Sequence, residues 1–99
     1  MVNLQIISSC EFDLEKDSQD LTFVLFGDSW CSLCTDVKYI MEEIKALHIP
    51  VYLVDISKNT YIMEKYSIEE IPTVIVFKKG RIVGFIVGKQ PKNRYLDFI

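Results

Sequence analysis

The sequence predicts an α/β fold, with one central mixed sheet flanked by helices in the order β-α-β-α-β-α-β-β-α. Three observations predict it. Short apolar runs rich in β-branched and aromatic residues alternate along the chain with segments of helical period. The run at 21–26 (Leu-Thr-Phe-Val-Leu-Phe) is almost unbroken in its hydrophobicity, the pattern of a strand covered on both faces. The last two strand-like runs are separated by a short connection holding Lys79 and Gly80, which reads as a hairpin turn. Strand–helix alternation implies parallel crossovers, and the terminal hairpin adds an antiparallel edge.

Residues 4–7 are a short β-leaning stretch, and residues 10–17, polar and acidic, read as a short helix. The strand at 21–26 is broken by Gly27, Asp28 and Ser29. From Cys31 the period changes. Val37, Ile40, Met41, Ile44 and Leu47 recur at helical spacing while Asp36, Glu42, Glu43 and Lys45 point elsewhere, which predicts an amphipathic helix ended by Pro50. Residues 51–56 (Val-Tyr-Leu-Val-Asp-Ile) are the next strand and residues 60–66 a weaker helix. Residues 73–77 and 82–87 are the hairpin strands, the second closed by Gly88. Residues 91–99 read as a C-terminal helix with Pro91 near its first turn. A flavodoxin-like sheet is the alternative architecture; the hairpin and the lack of a Gly-rich phosphate loop count against it. No linker, repeat or low-complexity tract interrupts the order, so residues 1–99 are expected to form one domain.

Composition narrows the function. The chain of 99 residues is 49% hydrophobic and 25% charged, the balance of a globular domain rather than a disordered segment. The formal net charge is −3, with no cationic excess to neutralise a phosphate backbone, so nucleic acid is not an expected partner. The unbroken apolar runs are only a few residues long, so no membrane-spanning helix is expected. Residues 1–12 lack the basic start, long apolar stretch and cleavage site of a secretion signal, and the expected location is cytoplasmic. Three cysteines, an odd number, make a poor disulfide framework.

Two of those cysteines, Cys31 and Cys34, stand in a C-x-x-C arrangement directly after a buried strand and at the start of a helix. That spacing reads as redox or metal chemistry. Unpaired backbone N–H groups and the helix dipole place partial positive charge at a helix N-terminus. A thiolate is stabilised there, and the Cys31 pKa is expected below the free value of about 8.5. The thiolate is the nucleophile of disulfide exchange. Positions three apart in a first helical turn are neighbours, so Cys34 can reach Cys31 and close a small ring. Spacing alone is weak, but the strand-to-helix junction and Trp30 ahead of the pair strengthen it. The second feature is Ile71-Pro72-Thr73, directly before a strand, where a residue that cannot donate to the ladder belongs. A cis bond there would turn the chain and expose backbone groups beside the thiols, whereas trans is the default.

Other residues carry blander readings. A zinc site needs four ligands, and Cys10, Cys31, Cys34 and His48 supply that number, but no spacing brings them together. Neither zinc nor an Fe–S cluster shared between subunits is expected. His48 reads as a dipole contact at a helix C-terminus. Cys10 reads as a partly buried inert thiol rather than a regulatory or cross-linking one. Asp28 reads as a solvated or capping residue rather than a like charge that raises the Cys31 pKa. Leu33 reads equally as an exposed partner contact or as a residue packed on its helix.

Trp30-Cys31-x-x-Cys34, then Ile71-Pro72-Thr73, then Phe77-Lys78-Lys79-Gly80 and Val87-Gly88 together resemble the thioredoxin family, in order and with similar spacings over almost the whole chain. The resemblance implies a thioredoxin-like fold with a cis Pro72 facing the dithiol. It implies thiol–disulfide exchange in which Cys31 attacks the target disulfide and Cys34 resolves the mixed intermediate. It also implies a substrate groove bordered by Trp30, Ser32, Leu33, Ile71, Pro72 and Gly88. Protein disulfides and a thioredoxin-reductase-like electron donor would be the partners, and the dithiol would need no cofactor or metal. The chain departs from the family's pattern in several places. Ser32-Leu33 replaces the usual Gly-Pro between the cysteines. Leu25 and Leu53 stand where a buried acid and its lysine partner are usual. Tyr39 replaces a helix proline, and Gly27 replaces a tryptophan. The rival expectation is a protein-binding module on the same fold, without significant redox turnover.

Overall fold

The computed structural model describes residues 5–6, 20–28, 31–57 and 60–99. Strands are β1 (Gln5–Ile6), β2 (Leu21–Gly27), β3 (Val51–Asp55), β4 (Thr73–Lys78) and β5 (Arg81–Val87). Helices are α1 (Ser32–Lys45), α2 (Thr60–Lys65) and α3 (Lys92–Leu96). The helix expected at 10–17 lies outside the described residues. The five strands make one sheet in the order β1-β3-β2-β4-β5.

β2 is central because it can be covered on both faces. Its side chains alternate between two buried clusters. Phe23 and Leu25 join Val74, Val76 and Ile86 against Val37, Met41 and Ile44 of α1 and Tyr95 of α3. Val24 and Phe26 join Tyr52, Val54, Ile75 and Phe77 against Ile62 of α2 and Ile68. A strand that faces apolar groups on both sides has no polar alternation to show, which is why 21–26 reads as a continuous apolar run.

The sheet differs from the expectation in one respect. β2 pairs with β3 in parallel, but β4 runs antiparallel to β2 as well as to β5. The antiparallel half therefore begins at β4, not at the terminal hairpin. Strand–helix–strand alternation does not distinguish a crossover from a connection that enters the sheet at the opposite end, and the six-residue α2 belongs to the second kind.

Several boundaries also move. β2 continues through Gly27, which pairs with Asp55 and accepts a hydrogen bond from Ile56 N–H at 3.0 Å. α1 ends at Lys45, well before Pro50. His48 adopts φ 66° and its N–H donates to Lys45 C=O at 2.9 Å, so a left-handed residue stops the helix and leaves Leu47 exposed. Glu42, expected on the outer face of α1, is buried. The Lys79-Gly80 turn has positive φ at both residues (51° and 80°), the type I′ geometry that matches the twist of the flanking strands.

Candidate active site

β2 delivers the chain to one end of the sheet, and the site is built there. Cys31 is the N-cap of α1, in extended geometry (φ −92°, ψ 110°), so its side chain turns back over the first helical turn. The Cys34 N–H donates to Cys31 Sγ at 3.1 Å, and Thr35 N–H donates to the Cys31 carbonyl at 3.3 Å. Cys31 and Cys34 are joined as a disulfide, with Cα atoms 5.1 Å apart. A cysteine sulfur thus occupies the place that an Asp or Ser oxygen takes at an ordinary N-cap. When the bond is reduced, the same N–H and helix dipole stabilise a Cys31 thiolate. Cys31 is half-buried, whereas Cys34 is 6% exposed. The two sulfurs therefore differ in access to solvent.

Cys34 can sit there because Gly27 has no side chain. A Cβ on Gly27 would lie 2.9 Å from Cys34 Sγ and 3.2 Å from its Cβ. The sequence marks Gly27 as a strand breaker; its part is to make room.

Across the sheet, the Ile71-Pro72 peptide bond is cis. The register that pairs Phe26 with Thr73 brings Pro72 level with Gly27, at the sheet end where the dithiol lies. Gly88 N–H donates to the Pro72 carbonyl at 2.7 Å, so Ile71, Pro72 and Gly88 form one connected wall. Below it, the buried Tyr95 hydroxyl accepts from Gln90 N–H at 3.3 Å and lies 3.5 Å from the Gly88 carbonyl, its acceptor. On the surface, Lys89 Nζ donates to Asp36 Oδ2 at 3.2 Å, which ties this loop to the dithiol helix. Both partners are about half exposed, so this pair contributes little to stability. Ser32 and Leu33 are exposed between the cysteines, Leu33 at 48%, so Leu33 is not packed away on its helix. Trp30 and Cys10 lie outside the described residues. Tyr39 is exposed on an α1 that runs unbroken from Ser32 to Lys45.

A cavity of about 340 Å³ opens beside Cys34, lined by Leu25, Gly27, Asp28, Thr35, Lys38, Leu53 and Asp55 as well as the cysteine. Leu25 and Leu53 line it without charge. Three charged residues lie on it: Asp28, which the sequence reading weighs as a capping or pKa-tuning residue, and Lys38 and Asp55, which it does not single out. Lys38 stands four residues after Cys34 and was legible as its next-turn neighbour; Asp55 joins only through the β2–β3 register. Among the described residues no group of three His, Cys, Asp or Glu side chains is placed to hold a metal ion.

A C-x-x-C disulfide at a helix N-terminus, at the same end of a mixed α/β sheet as a cis proline, defines a thiol–disulfide oxidoreductase. Comparison with known proteins agrees. The family model for Thioredoxin matches residues 4–99. A thioredoxin from Staphylococcus aureus is 30% identical over 96 residues, covering 94% of this chain and 91% of that relative. The structure of Plasmodium falciparum thioredoxin is 26% identical with a TM-score of 0.85, covering 96% of this chain and 95% of that one. A thioredoxin variant from Halobacterium salinarum shares the fold at a TM-score of 0.89 and 24% identity, over 97% of this chain and 86% of that one. The chain belongs to the thioredoxin family. Membership implies, in general terms, protein disulfides as substrates and a reductase as electron donor.

Proposed function

We propose that this protein acts as a cytoplasmic reductase of protein disulfides, with Cys31 as nucleophile and Cys34 as resolving thiol. The observation that carries the assignment of roles is the unequal placement of the two sulfurs. Cys31 caps α1 half-exposed and receives a backbone N–H, while Cys34 is buried behind it. In the reaction, the Cys31 thiolate attacks one sulfur of the client disulfide. The client S–S bond breaks, one client thiolate leaves, and a Cys31–client mixed disulfide remains. Cys34 then attacks Cys31, the internal disulfide forms, and the second client thiolate leaves. An upstream thioredoxin-reductase-like donor returns two electrons. The dithiol itself carries the electrons, so no cofactor or metal enters the cycle.

Clients would lie in the groove bordered by Trp30, Ser32, Leu33, Ile71, Pro72 and Gly88. The backbone around a cis proline offers main-chain hydrogen bonds to an extended client segment, which suits a substrate of variable sequence. The reducing direction and cytoplasmic location are supported by the three cysteines, since a dithiol and one further thiol leave no structural framework of bridges.

Replacing Cys34 with Ser tests the roles. The variant is expected to accumulate client proteins linked covalently through Cys31, releasable by dithiothreitol, and to lose catalytic reduction of a disulfide-bonded test protein. Partners retained without any covalent link would instead indicate a binding module. A reduction potential near about −270 mV, measured against a dithiothreitol series, accords with the reductase; a value near about −120 to −180 mV places the protein with oxidants and isomerases.

A further inference from the structure

Burial gives Cys34 a difficulty that Cys31 does not have. At 6% exposure a thiol favours its neutral form, yet it must lose a proton before it can attack the mixed disulfide. The strand side chains that form its floor carry no charge, because Leu25 and Gly27 come from β2 and Leu53 from β3, and the charged groups stand at the cavity's rim. The proton must therefore leave through the cavity that these residues share with Cys34.

The charges on that cavity come from three segments. α1 contributes Lys38, which is exposed and one helical turn beyond Cys34 on the same face. The link between β2 and α1 contributes Asp28. β3 contributes Asp55, whose Oδ1 accepts from Ser57 N–H at 3.0 Å and from Ser57 Oγ at 2.6 Å, so its carboxylate is fixed at the cavity edge. Thr35 adds a hydroxyl and no charge. One cation and two anions thus face a buried thiol across an apolar floor.

We propose that this cavity is the proton exit of the resolving thiol and that Lys38 is the positioning charge that sets the acidity of Cys34. The inference rests on the dithiol-exchange reading above. The Cys34 thiol gives its proton to solvent entering the cavity. The Cys34 thiolate attacks Cys31 Sγ, and the Cys31–Cys34 bond forms. The bond from Cys31 to the client sulfur breaks, and that sulfur leaves with the electron pair as a thiolate. The dithiol is oxidised by two electrons and the client disulfide is reduced by the same two. Lys38 touches no reacting atom in this scheme and acts only through Cys34.

Opposite charges make opposite predictions. The Lys38 ammonium favours the Cys34 thiolate, and the Asp28 and Asp55 carboxylates oppose it. The test isolates the resolving step. In a Cys10→Ser background, Cys31 is loaded as a mixed disulfide with 5-thio-2-nitrobenzoate, and release of the coloured thiol by Cys34 is followed against pH. Lys38→Met is expected to move the pH–rate profile up by about 0.5–1 unit, which slows release about three- to tenfold near neutral pH. Lys38→Arg should overlay the parent, and Asp55→Asn, which keeps an oxygen for Ser57, should move the profile down. Coincident profiles for Lys38→Met and the parent overturn the inference. So does a shift of Lys38→Met and Asp55→Asn in the same direction, the behaviour of a merely structural disturbance. If the parent itself releases no thiol at any pH, the dithiol-exchange reading fails, an outcome distinct from either.

Discussion

Gly27 and Cys34 occupy a space that only one of them can fill. Adding a methyl at Gly27 forces the Cys34 sulfur or the end of β2 to give way, because the contact of 2.9 Å is closer than real Cβ atoms approach. In the oxidised protein that sulfur is tied to Cys31; in the reduced protein it can swing aside. Gly27→Ala should therefore strain the disulfide more than the dithiol. Overpacking of this kind costs about 1–3 kcal/mol, so the reduction potential is expected to become less negative by about 20–60 mV. Equilibration with a dithiothreitol series reads it directly, and an unchanged potential would mean that the β2 backbone absorbs the methyl in both states. The two cysteines and Pro72 were legible in the sequence because their chemistry is written in residue type and spacing. The part played by Gly27 and by Asp55 was not, and Lys38 was legible only as the next-turn neighbour of Cys34. A glycine announces freedom, not which neighbour needs the room, and Asp55 reaches the site only through the pairing of Gly27 with Asp55 across β2 and β3.

At the level of elements, legibility followed periodicity. α1 was readable from its apolar stripe and β2 from its apolar run, since burial leaves a pattern in both. Element ends were read less well. α1 was expected to run on to Pro50, yet it stops at Lys45, where His48 turns left-handed, and no residue type foretells that choice as a glycine would. The direction of β4 differs from the parallel crossover that strand–helix alternation implies, because it is set by the end at which the chain re-enters the sheet, which local sequence does not encode. The hairpin was read correctly, and it holds a conformational inefficiency that can be removed. Lys79 adopts φ 51°, a left-handed geometry unfavourable to most side chains, and Asn followed by Gly is the preferred pair for this turn. Lys79→Asn is expected to raise unfolding free energy by about 0.5–1 kcal/mol, seen as a higher denaturant midpoint with unchanged slope. Disulfide reductase activity should not change, because the turn lies at the far end of β4 from Pro72. A lower midpoint would show that Lys79 makes a contact worth more than its backbone strain.

At the scale of the whole molecule, the two faces of the sheet are closed differently, and the α3 side carries a titrating group. Tyr95 is fully buried in the cluster that α1 packs against, and its hydroxyl joins the Gln90 N–H and the Gly88 carbonyl. Burial raises its pKa above the ordinary value of 10.0, against smaller lowering effects from the Gln90 hydrogen bond and the Arg94 charge. The sign of the consequence follows from proton binding. A folded state that holds the phenol proton more tightly than the unfolded chain gains stability that is fully present below the unfolded pKa of about 10 and is lost as pH rises through the higher folded value. Tyr95→Phe removes that proton and also the two hydroxyl contacts. The variant should thus be less stable near neutral pH by about 1 kcal/mol, yet lose less stability than the parent as pH rises past 10. Denaturant unfolding across an alkaline pH series measures both effects, with the lysines common to the two proteins. Parallel curves would show that Tyr95 is not the group whose ionisation the core resists. Convergence would show that a core residue holds the loop at Gly88, the wall that Pro72 shares, so that packing on one face of the sheet and the shape of the client groove rest on the same side chain.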